Sequence, residues 1–473
     1  MSQMRSPHGG GAFQRGLNAP QSRFYSHGKF GRLFPALPPH LPEREALVEL
    51  GEVGGPMDPG EAHNTPNNAM PAGFVFLGQF IDHDITLDTT SSLEQQNDPE
   101  AIQNFRTPLL ELDNVYGSGP DATPYLYRSI NRLPYMLLDE AAPHDLPRNS
   151  AGTALIGDPR NDENLVVSQL QLAFLKFHNQ VLHDVRDFAK AQQLVRWHYQ
   201  WIVLHEFLPL LVGQELVDSI YTGNTYSSGR RFYNWRHQPF IPVEFAVAAY
   251  RYGHAQVPGA LQVNDVFKVN GRSQIPLFDV NEFGKDDPND LSGFGARADR
   301  RFVDWRYLFD TGDGIEQPSR SINTVLSGPL FELPFFTEPT DIRSLAQRNL
   351  VRGRAFGLPS GQAVARAMGE TPLSPADLDD VRYLGFAEET PLWFYILREA
   401  QVCEYGERLG PVGGRIVAEV LVGLLEGDRL SFVRSHPNWQ PVLGSHGDFT
   451  MVDLLQYAGV LDTPVYLNGG APY

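Results

Sequence analysis

The segment Gly78-Gln79-Phe80-Ile81-Asp82-His83-Asp84 lies inside an apolar run from Phe74 to Leu87, and no other stretch constrains the fold as strongly. The flanking Phe, Val, Leu and Ile residues predict a buried helix over 74–87, yet it carries two carboxylates, an imidazole and an amide. Polar groups removed from water must be paired or ligated. At about 100° per residue, Gln79, Asp82 and His83 share one face and Asp84 points about a quarter-turn aside. One face is placed to meet a bound group, and Asp84 to meet something else.

The rest of the 473-residue chain predicts a mainly α fold. Apolar residues at three- and four-residue spacing predict long helices over 164–190 and 192–220. Further helices are expected at 241–256, 343–351, 360–368, 375–383, 390–404 and 413–426. Residues 1–70 are rich in Gly, Pro, Asn and His and read as an extended arm that carries little core; residues 71–473 read as one large body, with 283–300 a surface loop. A formal charge of −18 excludes nucleic acid as a partner, because phosphate binding needs clustered Lys and Arg. The single Cys403 excludes an internal disulfide and is expected to pack as a small hydrophobe. No apolar stretch reaches the roughly 20 residues of a membrane span, and no signal-peptide core is visible. A soluble protein follows, cytoplasmic or exported by a non-classical route, of unassigned oligomeric state.

Three further segments concentrate chemistry. Gly157-Asp158-Pro159-Arg160-Asn161-Asp162-Glu163-Asn164 precedes the 164–190 helix, and taken alone reads as an N-cap signal with a solvated Arg160–Glu163 pair. Arg251-Tyr252-Gly253-His254 ends an apolar segment. Asn349 stands among Arg348, Arg352 and Arg354, which suit bidentate carboxylate binding.

In this order the four segments resemble the animal-type haem peroxidases of the peroxidase–cyclooxygenase superfamily. The resemblance rests on Gly-Gln-x-x-Asp-His-Asp at 78–84, Gly-Asp-x-Arg-x-x-Glu at 157–163, Arg-Tyr-Gly-His at 251–254 and Asn-x-x-Arg-Gly-Arg at 349–354, and spans about 70–430. With no internal disulfide and no visible signal peptide the chain looks like the bacterial members rather than the secreted mammalian ones, and the resemblance makes the 71–473 body the catalytic domain.

The resemblance implies haem b, with His83 and Arg160 on one face and His254 as iron ligand on the other. A neutral imidazole there serves as general base and then general acid toward hydrogen peroxide, and Arg160 stabilises charge as the O–O bond breaks. A ferryl species would then oxidise phenol-like donors or iodide, bromide or thiocyanate. Gln79 matches the residue near which small anions bind. Asn349 matches the partner of the iron-ligating histidine, Arg352 the arginine beside a haem propionate, and Arg251 lies three residues before His254. Asp82 and Glu163 match carboxylates that form ester bonds to haem. Asn164 stands where myeloperoxidase has a methionine linked to haem, which weakens any expectation of chloride oxidation.

The family also places calcium beside this helix. In an extended chain Thr107, Leu109, Glu111 and Asp113 fall on one side, and with Asp84 they offer the oxygen ligands that Ca2+ prefers. A fatty-acid dioxygenase is the main alternative, but it uses a tyrosine at the position held here by Arg251. The other is a haem-binding protein without catalysis, which retention of both His83 and Arg160 argues against. His178, His183, His198 and His205 are assigned to packing or surface.

Overall fold

The computed structural model describes residues 28–58, 60, 66–87, 103–223, 228–336, 338, 341–444 and 447–461. Residues 1–27 of the expected arm lie outside them. The chain is mainly α, with about 42% helix against 9% strand among the described residues. Six helices matter most for the site: α1 (Gly73–Ile85), α2 (Leu165–Val185), α3 (Phe188–Ile202), α4 (Leu345–Ala355), α5 (Leu392–Cys403) and α6 (Pro411–Gly427). Strands are short and join distant segments. Gly28–Gly31 pairs antiparallel with Gln103–Asn104 and parallel with Ile241–Pro242, and Pro66–Pro71 pairs antiparallel with Pro318–Arg320.

Helix α1 is central because its sequence leaves it no wet face: every residue except Gln79 and Asp82 is buried. It packs on α2, with Phe80 stacked on Phe174 at 4.6 Å between ring centroids. Tyr199 of α3 meets both rings edge-on, an arrangement aromatic quadrupoles favour. Asn164 caps α2 by accepting from the Val167 amide at 2.9 Å, while Asp158 caps the short 3-10 turn Pro159–Asp162. The N-cap signals of that segment thus serve two elements.

Several expectations change. The described part of the arm does contribute core, since Phe30, Phe34, Leu47, Leu50, Met57 and Met70 are all buried; isolated apolar residues in irregular chain leave no periodic pattern to read. The 192–220 stretch is α3, then a π turn at Val203–Phe207, then Leu208–Val212 and Gln214–Ile220. Pro209 has no N–H for the carbonyl four residues back, so the ladder is interrupted there. The 241–256 stretch is three short turns: Val243–Ala246, Ala249–Tyr252 and Gly253–Gln256. Arg251 Nε takes the Ala246 carbonyl that a regular helix would use internally, and Trp393 Nε1 takes the Arg251 carbonyl. Residues 375–383 give only the 3-10 turn Asp379–Leu384. Cys403, the last residue of α5, is exposed rather than packed. Among the described residues no helix is long and apolar enough to cross a membrane.

Candidate functional site

His83 on α1 and His254 on the last of the three short turns line one cavity, of about 1300 Å3 of empty space including its open mouth. Gln79, Asp82, Glu163, Asn164, Arg251 and Arg348 line it too, and Val75, Phe76, Leu277, Phe278, Phe335 and Phe336 are among its apolar walls. The structure therefore gathers most of the residues predicted for the haem site around a single space. Arg160, Asn349 and Arg352 are not on its wall.

On the His83 side a chain of amides sets the imidazole. Gln171 Nε2 donates to the Asn114 carbonyl at 3.4 Å, its Oε1 accepts from Asn161 Nδ2 at 2.7 Å, and Asn161 Oδ1 therefore faces His83 Nδ1 at 2.7 Å. An acceptor there keeps the proton on Nδ1 and leaves the Nε2 lone pair available. Nε2 has no hydrogen-bond partner among the described residues. Burial, aided by the charge of Arg160, pushes the His83 pKa down to about 3, so the ring is neutral at ordinary pH.

Arg160 is anchored away from the cavity wall. Its backbone amide, Nε and Nη2 all reach Asp158, and Nη2 also donates to the carbonyls of His83 at 3.2 Å and Thr86 at 2.6 Å. Asp158 is fully buried and also binds Arg106 through Nε and Nη2. Burial alone would raise the Asp158 carboxyl, but Arg160 and Arg106 outweigh it and hold it well below the usual range. The solvated Arg160–Glu163 pair read from the segment alone is not formed, because Asp158 is the nearer anion and Glu163 is turned into the cavity.

Asp82 accepts from Thr86 Oγ1 at 3.0 Å, and burial raises its pKa against the pull of Arg160. Glu163 is pushed by burial to about 7 and is bonded to Gln79 Nε2. Gln79 Oε1 in turn accepts from Asn164 Nδ2 at 3.1 Å, so both ends of this amide are engaged. On the opposite side Asn349 Nδ2 lies 2.7 Å from His254 Nδ1, and Arg251 Nη1 donates to Asn349 Oδ1 at 2.5 Å. Burial, then Arg251, lowers the His254 pKa to about 3.

A loop expected at the surface buttresses this chemistry. Gly293 and Phe294 amides donate to the carbonyls of Glu163 and Asp162 at 2.8 and 2.7 Å, and the Leu291 carbonyl accepts from Leu165. Arg297 and Arg148 both bind Asp162. A Cβ on Gly293 would stand 1.7 Å from the Asp162 oxygen, so only glycine fits.

Two of the residues expected to hold calcium, Asp84 and Asp113, are engaged within the protein. Asp84 accepts the amides of Leu112 and Asp113 at 3.1 and 2.9 Å. Asp113 is ion-paired with Arg106, and Glu111 lies 4.0 Å from Arg196 Nη2. Leu109 donates its amide to the Thr107 carbonyl, and Thr107 Oγ1 is enclosed without a partner among the described residues. Burial, then Asp113, raises the Asp84 pKa to about 8. Among the described residues no group of three or more His, Cys, Asp or Glu is placed to hold a metal ion. At Asp113 the local cation is a guanidinium.

Sequence reading missed Asn161 and Gln171, whose roles depend on each other's position, and Arg106, which sits in an unremarkable loop. It named Arg348 only as a neighbour of Asn349 and gave the carboxylate role to Arg352. The four secondary histidines pack as expected: His178 meets the Tyr116 hydroxyl at 2.9 Å, His198 the Leu194 carbonyl, His205 stacks on Trp201, and His183 is exposed beside Asp184.

The fit to haem is good on this geometry. Two imidazoles, one buried and one half-buried, and two arginines share an apolar-walled space with two carboxylates, which suits a flat, largely apolar dianion with a metal at its centre.

Comparison with known proteins agrees. Residues 93–382, more than half of the chain, match the family model described as animal haem peroxidase; the match takes in Arg160, Glu163, His254 and Asn349 and begins after His83. Chorion peroxidase of Drosophila melanogaster is 26% identical over 358 residues, covering 68% of this chain and 41% of that protein. Thyroid peroxidase of Rattus norvegicus is 22% identical over 391 residues, covering 72% and 39%. The chain thus spans about two-fifths of the length of these relatives. Among solved structures, peroxidase A from Dictyostelium discoideum superposes with a TM-score of 0.64 at 15% identity, covering 95% of this chain and 98% of that one. A fatty acid alpha-dioxygenase of Arabidopsis thaliana superposes at 0.57 and 17% identity, covering 92% and 76%. Both likenesses describe the fold. With the cavity and its two histidines, the family match makes this chain a member of the animal haem peroxidase family.

Proposed function

We propose that the chain binds haem b between His83 and His254, reduces hydrogen peroxide there, and oxidises small donors. The carrying observation is the pair of imidazoles facing one cavity, His83 buried and His254 half-buried, with His83 tied through Nδ1 so that Nε2 is the basic nitrogen. When bound, haem supplies the two oxidising equivalents that pass from peroxide to donor. His254 would hold the iron. His83 Nε2 takes a proton from peroxide and returns it to the leaving oxygen, a role for which its neutral state at ordinary pH is required. Arg160, held by Asp158, contributes a fixed positive charge behind His83. Arg251 and Arg348 pair with the haem carboxylates, a role that Arg352 shares only from outside the cavity wall.

Asp82 and Glu163 would be the carboxylates that hold haem through ester bonds to its methyl groups, with peroxide as the two-electron oxidant that such a bond requires. Gln79 Nε2 gives one hydrogen to Glu163 and Oε1 accepts from Asn164, which leaves the second Nε2 hydrogen for a small anion. Phenol-like donors and iodide, bromide or thiocyanate are therefore ranked equally. Calcium enters only with Asp113 released from Arg106; a rise in Tm on adding calcium, absent in Asp84→Asn, is the result that would put it there.

Titration with haem tests the reading: one equivalent should give a Soret band that His254→Gln alters, and a guaiacol-like phenol should then be oxidised with peroxide. No binding, or no turnover with any donor, would sink it. Acid-acetone extraction addresses the esters, since full recovery of free haem excludes both. The dioxygenase reading rests on Tyr250 and Tyr252, which line the cavity. However, Tyr250 donates its hydroxyl to the Gly78 carbonyl at 3.2 Å. Rapid oxygen uptake with linoleate would favour it.

A further inference from the structure

The cavity is flanked by two Asn–His pairs of opposite polarity. On the His83 side Asn161 presents its oxygen to the ring. On the His254 side the amide is turned the other way. Arginine carries only donors, so the Asn349 atom that Arg251 Nη1 meets at 2.5 Å is Oδ1, and Nδ2 is left to face His254 Nδ1 at 2.7 Å. A donor at Nδ1 makes that nitrogen an acceptor and puts the proton of a neutral ring on Nε2. Nε2 then has no lone pair for a metal. In this state His254 is the wrong tautomer to ligate iron.

Turning the Asn349 amide by half a turn would correct the tautomer, but it would set Asn349 Nδ2 against Arg251 Nη1, donor against donor. The guanidinium has to leave first. Only its side chain needs to move, because Trp393 Nε1 holds the Arg251 carbonyl at 3.1 Å. Arg251 lines the cavity, as does Arg348, whose guanidinium lies 3.6 Å over the Phe336 ring. An incoming ligand with a carboxylate meets Arg251 from the cavity.

We propose that Arg251 is a tautomer lock: it holds Asn349 and His254 in a form that does not bind iron until a carboxylate of the incoming haem takes the guanidinium. Asn349 then turns its oxygen to His254 Nδ1, and Nε2 presents its lone pair. Arg251 and Asn349 are positioning residues, and the site selects a metalloporphyrin that carries a free carboxylate. The idea rests on the haem reading above, but its first test does not need haem.

In protein prepared without haem and labelled with 15N-histidine, the His254 signals are identified by their loss in His254→Gln. The lock predicts the Nε2–H tautomer in the wild type and a shift toward Nδ1–H in Arg251→Met. An Nδ1–H ring in the wild type, or the same tautomer in both proteins, overturns it. The second test needs no variant. Haem and its neutral dimethyl ester are loaded separately into the wild type, and the iron–histidine stretching band of the ferrous forms is read by resonance Raman. The band should be strong with haem and lost or shifted to lower frequency with the ester; equal bands overturn the lock, since an arginine that merely anchors a propionate would not change them. If neither porphyrin binds, the haem reading fails, and the tautomers still decide the lock.

Discussion

At the residue scale the site depends on partners that a sequence does not pair. His83, Arg160 and His254 were legible as types in a recurring order, whereas Asn161 was not, because its role is set by Gln171 on α2 ten residues away. Asn161→Leu should lower the rate of peroxide reaction about 10- to 100-fold while haem stays bound, the usual scale for losing a residue that orients a reacting histidine; stopped-flow absorbance would check it. The pH profile should differ from that of an ordinary imidazole. With the His83 pKa pushed down to about 3 by burial and Arg160, the peroxide reaction should hold its rate well below pH 6.5 and fall only toward pH 3. A midpoint near 6.5 would mean a solvated His83. Asp158 serves Arg106 and Arg160 together. Asp158→Asn leaves the buried Arg106 and the half-buried Arg160 under-compensated and should cost about 3–5 kcal/mol in urea unfolding.

At the element scale periodicity located α1, α2, α5 and α6 to within a few residues, because each buries a helical stripe. It failed where side chains compete for backbone carbonyls, as Arg251 does in the 241–256 segment. It also missed the 290–297 buttress, which carries no period at all and is recognisable only from the hydrogen bonds of Gly293, Phe294 and Arg297. Gly293→Ala should displace Asp162 and Glu163, with a cost of about 1–3 kcal/mol by analogy with forced overpacking. Because Glu163 then leaves Gln79, the variant should also lose part of any covalently retained haem, measured by acid-acetone extraction.

At the scale of the whole molecule, stability against pH follows from groups buried in unfavourable states. His83, His178 and His254 are pushed to about 3 and His198 to about 4, chiefly by burial. Their folded pKa values lie below the unfolded 6.5, so the unfolded chain binds protons first and stability falls as pH drops from 6.5 toward 3. Asp84, Glu206 and Glu399 are pushed up to about 8, again chiefly by burial. They keep protons that the unfolded chain releases near 4, so stability falls as pH rises toward 8. The two effects oppose each other between, and the thermal midpoint should form a plateau at about pH 4.5–6.5 with losses on both sides; a maximum above pH 8 would contradict this assignment. The central claim is that the cavity is a peroxide-reducing haem site worked by His83. Haem-loaded protein mixed with one equivalent of hydrogen peroxide in a stopped-flow spectrophotometer tests it most directly. The account predicts a fast Soret change that His83→Ala slows by about 10²–10⁴-fold, the range for general acid–base catalysis. An absent change in the wild type, or an equal rate in His83→Ala, would contradict it.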